Sequence, residues 1–513
     1  MKRFLNEYGY SLDQIRQDSS SWKDVEKLRL YSPNGAVFLI AYKVDGEDSS
    51  DISSIYEKTK QEGDEHCSLL LVCNDGKFRC YSKNLKNRQY ILLKDMVPYF
   101  SRTFKSMQPT KIESNHFENV FFEAHSFLRD LDGLHPDEAL DELCKLIYAK
   151  MYDEESGLNV FSMATGNVEE YAASIRYLYS TANEYDMRVY ALKIPGYKRS
   201  RGVFDEPLFI SSNAIAKTGQ LFAKYNFSSA DIDFKARAFQ NVYKPTTRAG
   251  MGQYFTPLQV IRFIVFCMAP SLSDLIIDPF AGSAHFLTES LSYVLPSARN
   301  EKAKNEFVFY KLHGIEKSER MVRIAMTDMR LHGDGHSNIR CTDALLPFDS
   351  YTDLASNSFD IVMTNPPFGS VLQKESYSYL GDFELLKEKT KVPLEVIGLE
   401  RSVQLLREGG RMAIVLPESI FVNKSYAYVR NWLQRNVKIR GIISLPLSTF
   451  TPFGANIKTS ILIATKTKTL NDYKVFTGVI EDIGFDSKGN DTQSPDWLDV
   501  AKAFKSFIDE EGW

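Results

Sequence analysis

The apolar positions change period along the chain, and each change marks a different kind of structure. Over the first hundred residues the runs are short and strand-like. Leu28-Arg29-Leu30-Tyr31 and Ala36-Val37-Phe38-Leu39-Ile40-Ala41-Tyr42-Lys43 read as a strand pair about the turn Ser32-Pro33-Asn34-Gly35. A polar helix is expected over 49–62, then a hairpin in which 68–73 and 77–81 flank Asn74-Asp75-Gly76. From Phe117 to Tyr243 the period becomes helical. Phe117, Val120, Phe121, Ala124, Phe127 and Leu128 recur at three- and four-residue steps, as do Leu140, Leu143, Leu146, Ile147 and Met151. Pro136-Asp137-Glu138 opens the second of these helices with the residues that suit a first turn. Beyond Arg248, strands and helices alternate, with strands expected at 275–278, 308–316, 339–342, 359–364, 412–416, 440–445 and 459–465. That order predicts a doubly wound α/β sheet of seven strands, in which ligands bind at the C-terminal strand edge. The segment 292–307, rich in Lys, Asn and Ser, reads as an insertion, and the last thirty or so residues as a loop and a short amphipathic helix.

These shifts divide the chain into a small α/β domain over 1–105, a helical domain over 106–245, the larger α/β domain over 246–485 and a tail over 486–513. At 513 residues each can bury a core. Charge changes the picture little: 62 Lys plus Arg stand against 66 Asp plus Glu, so any nucleic-acid surface must be local. The loop Tyr197-Lys198-Arg199-Ser200-Arg201-Gly202 is one local candidate, either a phosphate contact or a solvated face. Cys67, Cys73, Cys80, Cys144, Cys267 and Cys341 form no C-x-x-C pair, which argues against structural zinc and a disulfide framework and for a reducing cytoplasm. No export signal or membrane span is expected, because Met1 to Leu12 has no apolar core and the apolar run Val260 to Ala269 is short and broken by Arg262.

The chemistry gathers at the expected strand ends. The apolar run 359–364 stops at Asn365-Pro366-Pro367-Phe368. The Asn365 side-chain oxygen and the Pro366 carbonyl can accept the two N–H hydrogens of an exocyclic aromatic amine, and Phe368 offers a face for its ring. The two prolines stiffen the loop and bring no competing N–H. Asp278 ends the first strand of the α/β region and leads into Pro279-Phe280-Ala281-Gly282-Ser283-Ala284-His285, a small-residue turn through which backbone N–H groups can approach a charged cofactor. Glu316 ends the next strand, where a carboxylate can accept two ribose hydroxyls, and Asp343 ends the third, where it can accept an adenine amino group. Ahead of the first helix stands Gly250-Met251-Gly252-Gln253-Tyr254-Phe255-Thr256-Pro257. No metal-ligand cluster accompanies these residues.

Taken in order, GMGQYFTP, DPFAGSAHFL, GIEKSER, CTDALL, NPPF, GGRMAIVLP and LPLSTFTPFGANIKTSILIA resemble the N6-adenine DNA methyltransferases, in particular the modification subunits of Type I restriction systems. The resemblance covers about residues 117 to 485. It implies a seven-stranded S-adenosylmethionine-dependent methyltransferase fold that transfers a methyl group to an adenine flipped out of duplex DNA. It further implies Asn365, Pro366, Pro367 and Phe368 as the catalytic tetrapeptide, with Gln253, Tyr254, Phe255, Thr256, Asp278, Gly282, Ser283, Glu316, Asp343 and Asn365 about the cofactor. Phe450 and Phe453 match a later aromatic segment, as a second wall of the base pocket or as core phenylalanines of a packed loop. The turn after Asp278 departs from the family's G-[ST]-G-G, reading Gly282-Ser283-Ala284-His285, and Ala284 is strained there if its φ is positive.

The first hundred residues resemble the nuclease-like N-terminal domain of Type I restriction subunits, but Ala41-Tyr42-Lys43 stands where that family has Glu-x-Lys. The expected readings are a nuclease-inactive relative, a docking module or an unrelated small domain. The α/β region is followed by about thirty residues, against ~100 or more for a target-recognition domain. A separate specificity subunit is therefore expected as partner, with a restriction subunit as a second candidate. The rival readings are an RNA or protein methyltransferase and a non-catalytic DNA-binding or assembly subunit.

Overall fold

The computed structural model describes residues 117–162, 167–193, 206–228, 256–333, 338–351, 353–387, 389–467 and 472–513, with Phe239, Val242 and six strands nearer the N-terminus. Those strands are β1 (Ile15–Gln17), β2 (Lys27–Tyr31), β3 (Val37–Lys43), β4 (Leu69–Asn74), β5 (Lys77–Lys83) and β6 (Tyr90–Leu92), hydrogen-bonded in chain order. The expected pair is β2 and β3, antiparallel, and the expected hairpin is β4 and β5, with Asn74 opposite Lys77. The helix over 49–62, the turn 32–35, Asp75-Gly76 and the basic loop 197–202 lie outside the described residues.

Helices α1 (Phe117–Asp132), α2 (Pro136–Ser156), α3 (Val168–Lys193) and α4 (Ser212–Ala223) follow. Val120, Phe121, Ala124 and Leu128 form the buried stripe of α1. Helix α2 starts at Pro136, where Glu138 reaches back to accept the His135 N–H at 3.0 Å, and ends at Gly157 in the left-handed region (φ 68°).

The α/β region is built on one sheet. Its strands are β7 (Ile276–Asp278), β8 (Leu312–Glu316), β9 (Ile339–Cys341), β10 (Phe359–Thr364), β13 (Leu406–Pro417), β14 (Val437–Ser444), β15 (Thr459–Lys466) and β16 (Phe476–Val479), while β11 (Val371–Gln373) and β12 (Lys391–Pro393) pair as a separate hairpin. The order is β16-β14-β15-β13-β10-β7-β8-β9. The five strands from β13 to β9 run parallel, and β15 is antiparallel to both β13 and β14. The sequence-based expectation differs in two places. The front of the segment 308–316 is helical, because Glu301–Tyr310 forms a helix that caps on Asn300 and only Leu312–Glu316 pairs with β7. The sheet also gains an eighth strand, β16, parallel to β14.

Successive strand residues alternate between two cores. Ile276, Ile361 and Met363 pack on one face with helices α5 (Leu258–Met268), α6 (His285–Val294) and α8 (Glu319–Leu331), where α7 is Glu301–Tyr310. Ile277 and Val362 pack on the other with α9 (Leu394–Leu405) and α10 (Ala427–Asn436). A parallel sheet has to be covered on both faces, since its strands are apolar on both. The first core continues into α1 to α4, and ion pairs reinforce that junction: Arg323 on α8 binds Asp141 on α2 through two nitrogens at 2.5 and 2.9 Å, flanked by Arg320–Asp137 and Arg330–Glu155. The tail helix α11 (Trp497–Glu511) packs on α5. Among the described residues no helix is long and apolar enough to cross a membrane, and no group of His, Cys, Asp and Glu could hold a metal ion.

Candidate active site at the strand ends

Strands β10, β7 and β8 end side by side, so their last residues share one edge. Asp278 is buried there, and its Oδ1 accepts hydrogen bonds from the Phe280 N–H at 3.0 Å and from the Thr364 hydroxyl at 2.6 Å. Burial pushes the Asp278 carboxyl up to about 7, against the pull of those two donors and with the nearby Glu316 carboxylate adding to the rise. Glu316 accepts the Gly282 N–H at 3.1 Å on one oxygen and the Ser318 N–H at 2.8 Å on the other, so it ties the turn after β7 to the turn after β8. Its carboxyl is raised mainly by burial. Asp343 lies two residues past β9, held by the Leu345 N–H at 3.0 Å and by the exposed Lys317 ammonium at 2.9 Å. The three acids thus stand at the ends of neighbouring strands.

Between the turn after β7 and the end of β10 lies a crevice open to solvent, whose walls include Thr256, Asp278, Gly282, Ser283, His285 and Asn365. The Asn365 amide nitrogen donates to the Thr256 hydroxyl at 3.0 Å. Its side-chain oxygen is buried and has no hydrogen-bond partner. A buried acceptor left unpaired costs about 1–3 kcal/mol. Gln253, Tyr254 and Phe255 lie outside the described residues.

Two features of the turn bear on a ligand. Gly282 has φ 53° and open space where a side chain would stand, so its backbone can be approached closely. Ala284 also has positive φ, 63°, a conformation that costs an L-residue about 1–2 kcal/mol. Next to it the His285 ring meets the Ser283 hydroxyl at 3.2 Å and the buried Asp328 carboxylate at 3.5 Å, and burial drives it down to about 3, which keeps the imidazole neutral. Behind the tetrapeptide, Gly398 on α9 lets Pro366 and Phe280 pack onto the helix, since a Cβ there would meet them at 2.9 and 3.0 Å.

The aromatic part of the tetrapeptide sits differently from its amide. Phe368 is 7 % exposed, meets Phe450 edge-to-face with centroids 5.8 Å apart, and belongs with it to the first core. Phe450 is fully buried, as its reading as a core phenylalanine requires, and the Phe453 side chain lies outside the described set. Sequence reasoning missed Thr364, Thr256 as a partner of Asn365, and Gly398. Only for Thr364 was there a local signal, its place as the last strand residue before Asn365.

A family model described as N-6 DNA Methylase matches residues 238–513. The chain belongs to the N-6 DNA methylase family. Among curated proteins it is similar to the Type I restriction enzyme EcoEI methylase subunit of Escherichia coli, 26% identical over 287 residues, which cover 54% of this chain and 56% of that one. It is also similar to the EcoKI methylase subunit of Escherichia coli strain K12, 27% identical over 228 residues, or 43% and 41% of the two chains. The chain thus spans about half or less of the length of these curated relatives. Among solved structures, a chain of a type I R-M system aligns with TM-score 0.57 and 18% identity over 76% of this chain and 82% of that one. The type I restriction-modification system methyltransferase subunit of Streptococcus thermophilus aligns with TM-score 0.53 and 15% identity over 77% and 94%. These likenesses show that the N-6 DNA methylase chain has the fold of methyltransferase subunits.

Proposed function

We propose that this N-6 DNA methylase transfers a methyl group from S-adenosylmethionine to the exocyclic amine of an adenine flipped out of duplex DNA, as the modification subunit of a Type I restriction system. The observation that carries this reading is the buried, unpaired side-chain oxygen of Asn365, a residue on the wall of the crevice. The residues fit the cofactor: open space at Gly282, a buried carboxylate at Asp278 and the Glu316 and Asp343 carboxylates at the next two strand ends. Asp278 and the turn would hold its amino-acid end, Glu316 its ribose and Asp343 its adenine. When bound, S-adenosylmethionine supplies a methyl group on a sulfonium, a leaving group that needs no metal.

The chain's own part is alignment. Asn365 Oδ1 and the Pro366 carbonyl accept the amine hydrogens and hold the nitrogen lone pair toward the crevice, a positioning effect able to lower a barrier by several kcal/mol, ~7 or more in well-oriented systems. Pro366, clamped between Gly398 and the end of β10, keeps its carbonyl in place. The target must leave the duplex, because its amine is otherwise engaged in a base pair. Phe368 serves as a stacking face only if the base displaces it from Phe450. We read residues 1–105 as a docking module and the partner as a specificity subunit that selects the DNA site. Cytoplasmic location follows from that role.

One observation favours a second reading, a non-catalytic assembly subunit: the strained Ala284 and the imidazole of His285 stand where the family resemblance implies glycines. Calorimetry with S-adenosylmethionine separates the two, since an inert subunit shows no binding heat. Tritiated methyl transfer offered to duplex DNA, RNA and protein side by side tests the activity, with the neighbour-encoded subunit present and absent. Asn365→Ala should abolish transfer and leave cofactor affinity nearly unchanged. Persistence of transfer in that variant refutes the mechanism.

A further inference from the structure

The Asn-Pro-Pro-Phe segment leaves β10 at one end, where the sheet holds it, and at the other end runs into a turn at Gly369. A tetrapeptide that presents two acceptors to one amine works best with both ends fixed. We propose that the buried carboxylate of Glu395, in the first turn of α9, is the second hold: it accepts the Gly369 N–H, fixes the turn that follows Phe368, and so acts as a positioning residue for methyl transfer. The inference rests on the functional reading above and gives a task to an acidic residue which that reading leaves without one. The pairing has one sense only, because a backbone N–H can only donate and a carboxylate can only accept.

Burial raises the Glu395 carboxyl, while its own backbone N–H and that of Gly369 hydrogen-bond to it and pull it back. The same stretch of chain is tied to α9 a second time, since the Leu394 N–H donates to the Ser370 carbonyl at 2.8 Å. Gly398, three residues along α9 from Glu395, receives Pro366 so closely that a Cβ has no room. The start of that helix thus meets the tetrapeptide loop on both sides of Phe368. Gly369 itself has φ 78° and open space where a side chain would stand, a conformation that glycine is free to leave unless a partner fixes it. The other carboxyl oxygen, Oε2, is buried and has no hydrogen-bond partner. An oxygen in that state destabilises the fold, and an apolar side chain of similar size would avoid the cost. Support of the fold alone therefore does not account for a carboxylate here, whereas a hold on the loop does. Gly369 is exposed, so water takes its N–H once the carboxyl is gone and the turn is released.

Two measurements on the full chain test this. With 15N-labelled glycine, the Gly369 signal is identified by its absence from the spectrum of Gly369→Ala, and hydrogen exchange of its N–H is followed. The N–H should be protected in the native protein and in Glu395→Gln, whose amide oxygen still accepts, and should exchange about tenfold faster in Glu395→Met. Equal protection in Glu395→Met, or no protection in the native chain, overturns the proposal. In parallel, the urea midpoint, S-adenosylmethionine affinity by calorimetry and single-turnover transfer to duplex DNA from a host lacking adenine methylation are compared, with the neighbour-encoded subunit present for transfer. Glu395→Met should keep or raise the midpoint, hold its affinity within about threefold and lose transfer by about tenfold, while Glu395→Gln transfers within about threefold of native. Native transfer in Glu395→Met would show that the β11–β12 hairpin and Ser370 hold the turn unaided, and a glutamine variant as slow as the methionine one would show that the acceptor is not what matters; either overturns the proposal. So does a loss of transfer matched by an equal loss of affinity or by a lowered midpoint, which would make Glu395 a support of the fold at large. A native chain that transfers no methyl group counts against the functional reading, while the exchange measurement still decides whether Glu395 holds the turn. Glu395→Leu replaces the methionine variant should that one not fold.

Discussion

Replacing Asp278 by Asn should stabilise the ligand-free protein at neutral and alkaline pH. The Asp278 carboxyl is buried and pushed from its ordinary 3.8 up to about 7. Between those two values the native protein holds a proton that the unfolded chain has released, so native stability falls as pH rises through that window. At ~1.36 kcal/mol for each step of one in pKa, the full effect has an upper bound of about 4 kcal/mol, reached above pH 7. Asn keeps the local structure, because the Phe280 N–H and the Thr364 hydroxyl both donate to the same oxygen, Oδ1, which an amide oxygen can replace. Water entering the crevice offsets part of the gain, and about 1–2 kcal/mol is expected to survive. The assay is urea unfolding of both proteins from pH 5 to pH 8. The advantage of the Asn protein should be small at pH 5, grow with pH and level off above 7. An Asn protein less stable at pH 8, or a difference that does not change with pH, would refute the assignment of Asp278 as a buried carboxylate held there for a ligand.

Other variants probe the scaffold. Gly398→Ala should lose about 1–3 kcal/mol and slow transfer, because the new methyl meets Pro366 and Phe280 near 3 Å; denaturant midpoints and single-turnover rates check both. Arg401 is buried between the Phe348 and Phe383 rings, donates to the Leu346 carbonyl and leaves Nε and Nη1 unpaired, and burial brings it down to about 10. Arg401→Met should therefore match the native stability within about 1 kcal/mol or exceed it in urea, and a loss above ~3 kcal/mol would show that the aromatic faces hold the cation well. Asp141→Ala removes the two shortest contacts of the buried Arg323, leaving it the longer pairing with Glu206 at 3.4 Å, and weakens the support of Lys145, so a loss of about 3 kcal/mol is expected in the same measurement. For Ala284→Gly, relief of about 1–2 kcal/mol of backbone strain is offset by ~0.8 for a buried methyl and ~0.4–1 for the freer unfolded chain, which predicts a thermal midpoint close to native.

The period of the apolar residues alone located the helices around Val120 and Leu140 and the strands that end at Asp278, Glu316 and Thr364, because periodicity is a local property of the chain. It misjudged the front of the segment 308–316, where Val308, Phe309 and Tyr310 read as strand although the Asn300 cap and the preceding turn commit them to a helix. The acids and the Asn-Pro-Pro-Phe segment were equally legible, since strand ends in such sheets face one edge. What the tertiary structure decided are the pairings across long stretches of chain: β15 lying between β13 and β14, the Thr364 hydroxyl on Asp278, and the Thr256 hydroxyl on the Asn365 amide. It also decided that Ala284 has positive φ and that Phe368 rests against Phe450. A hydrogen bond between residues about a hundred positions apart has no local signature, and it exists only once the sheet has closed and brought its donor and acceptor to the same edge.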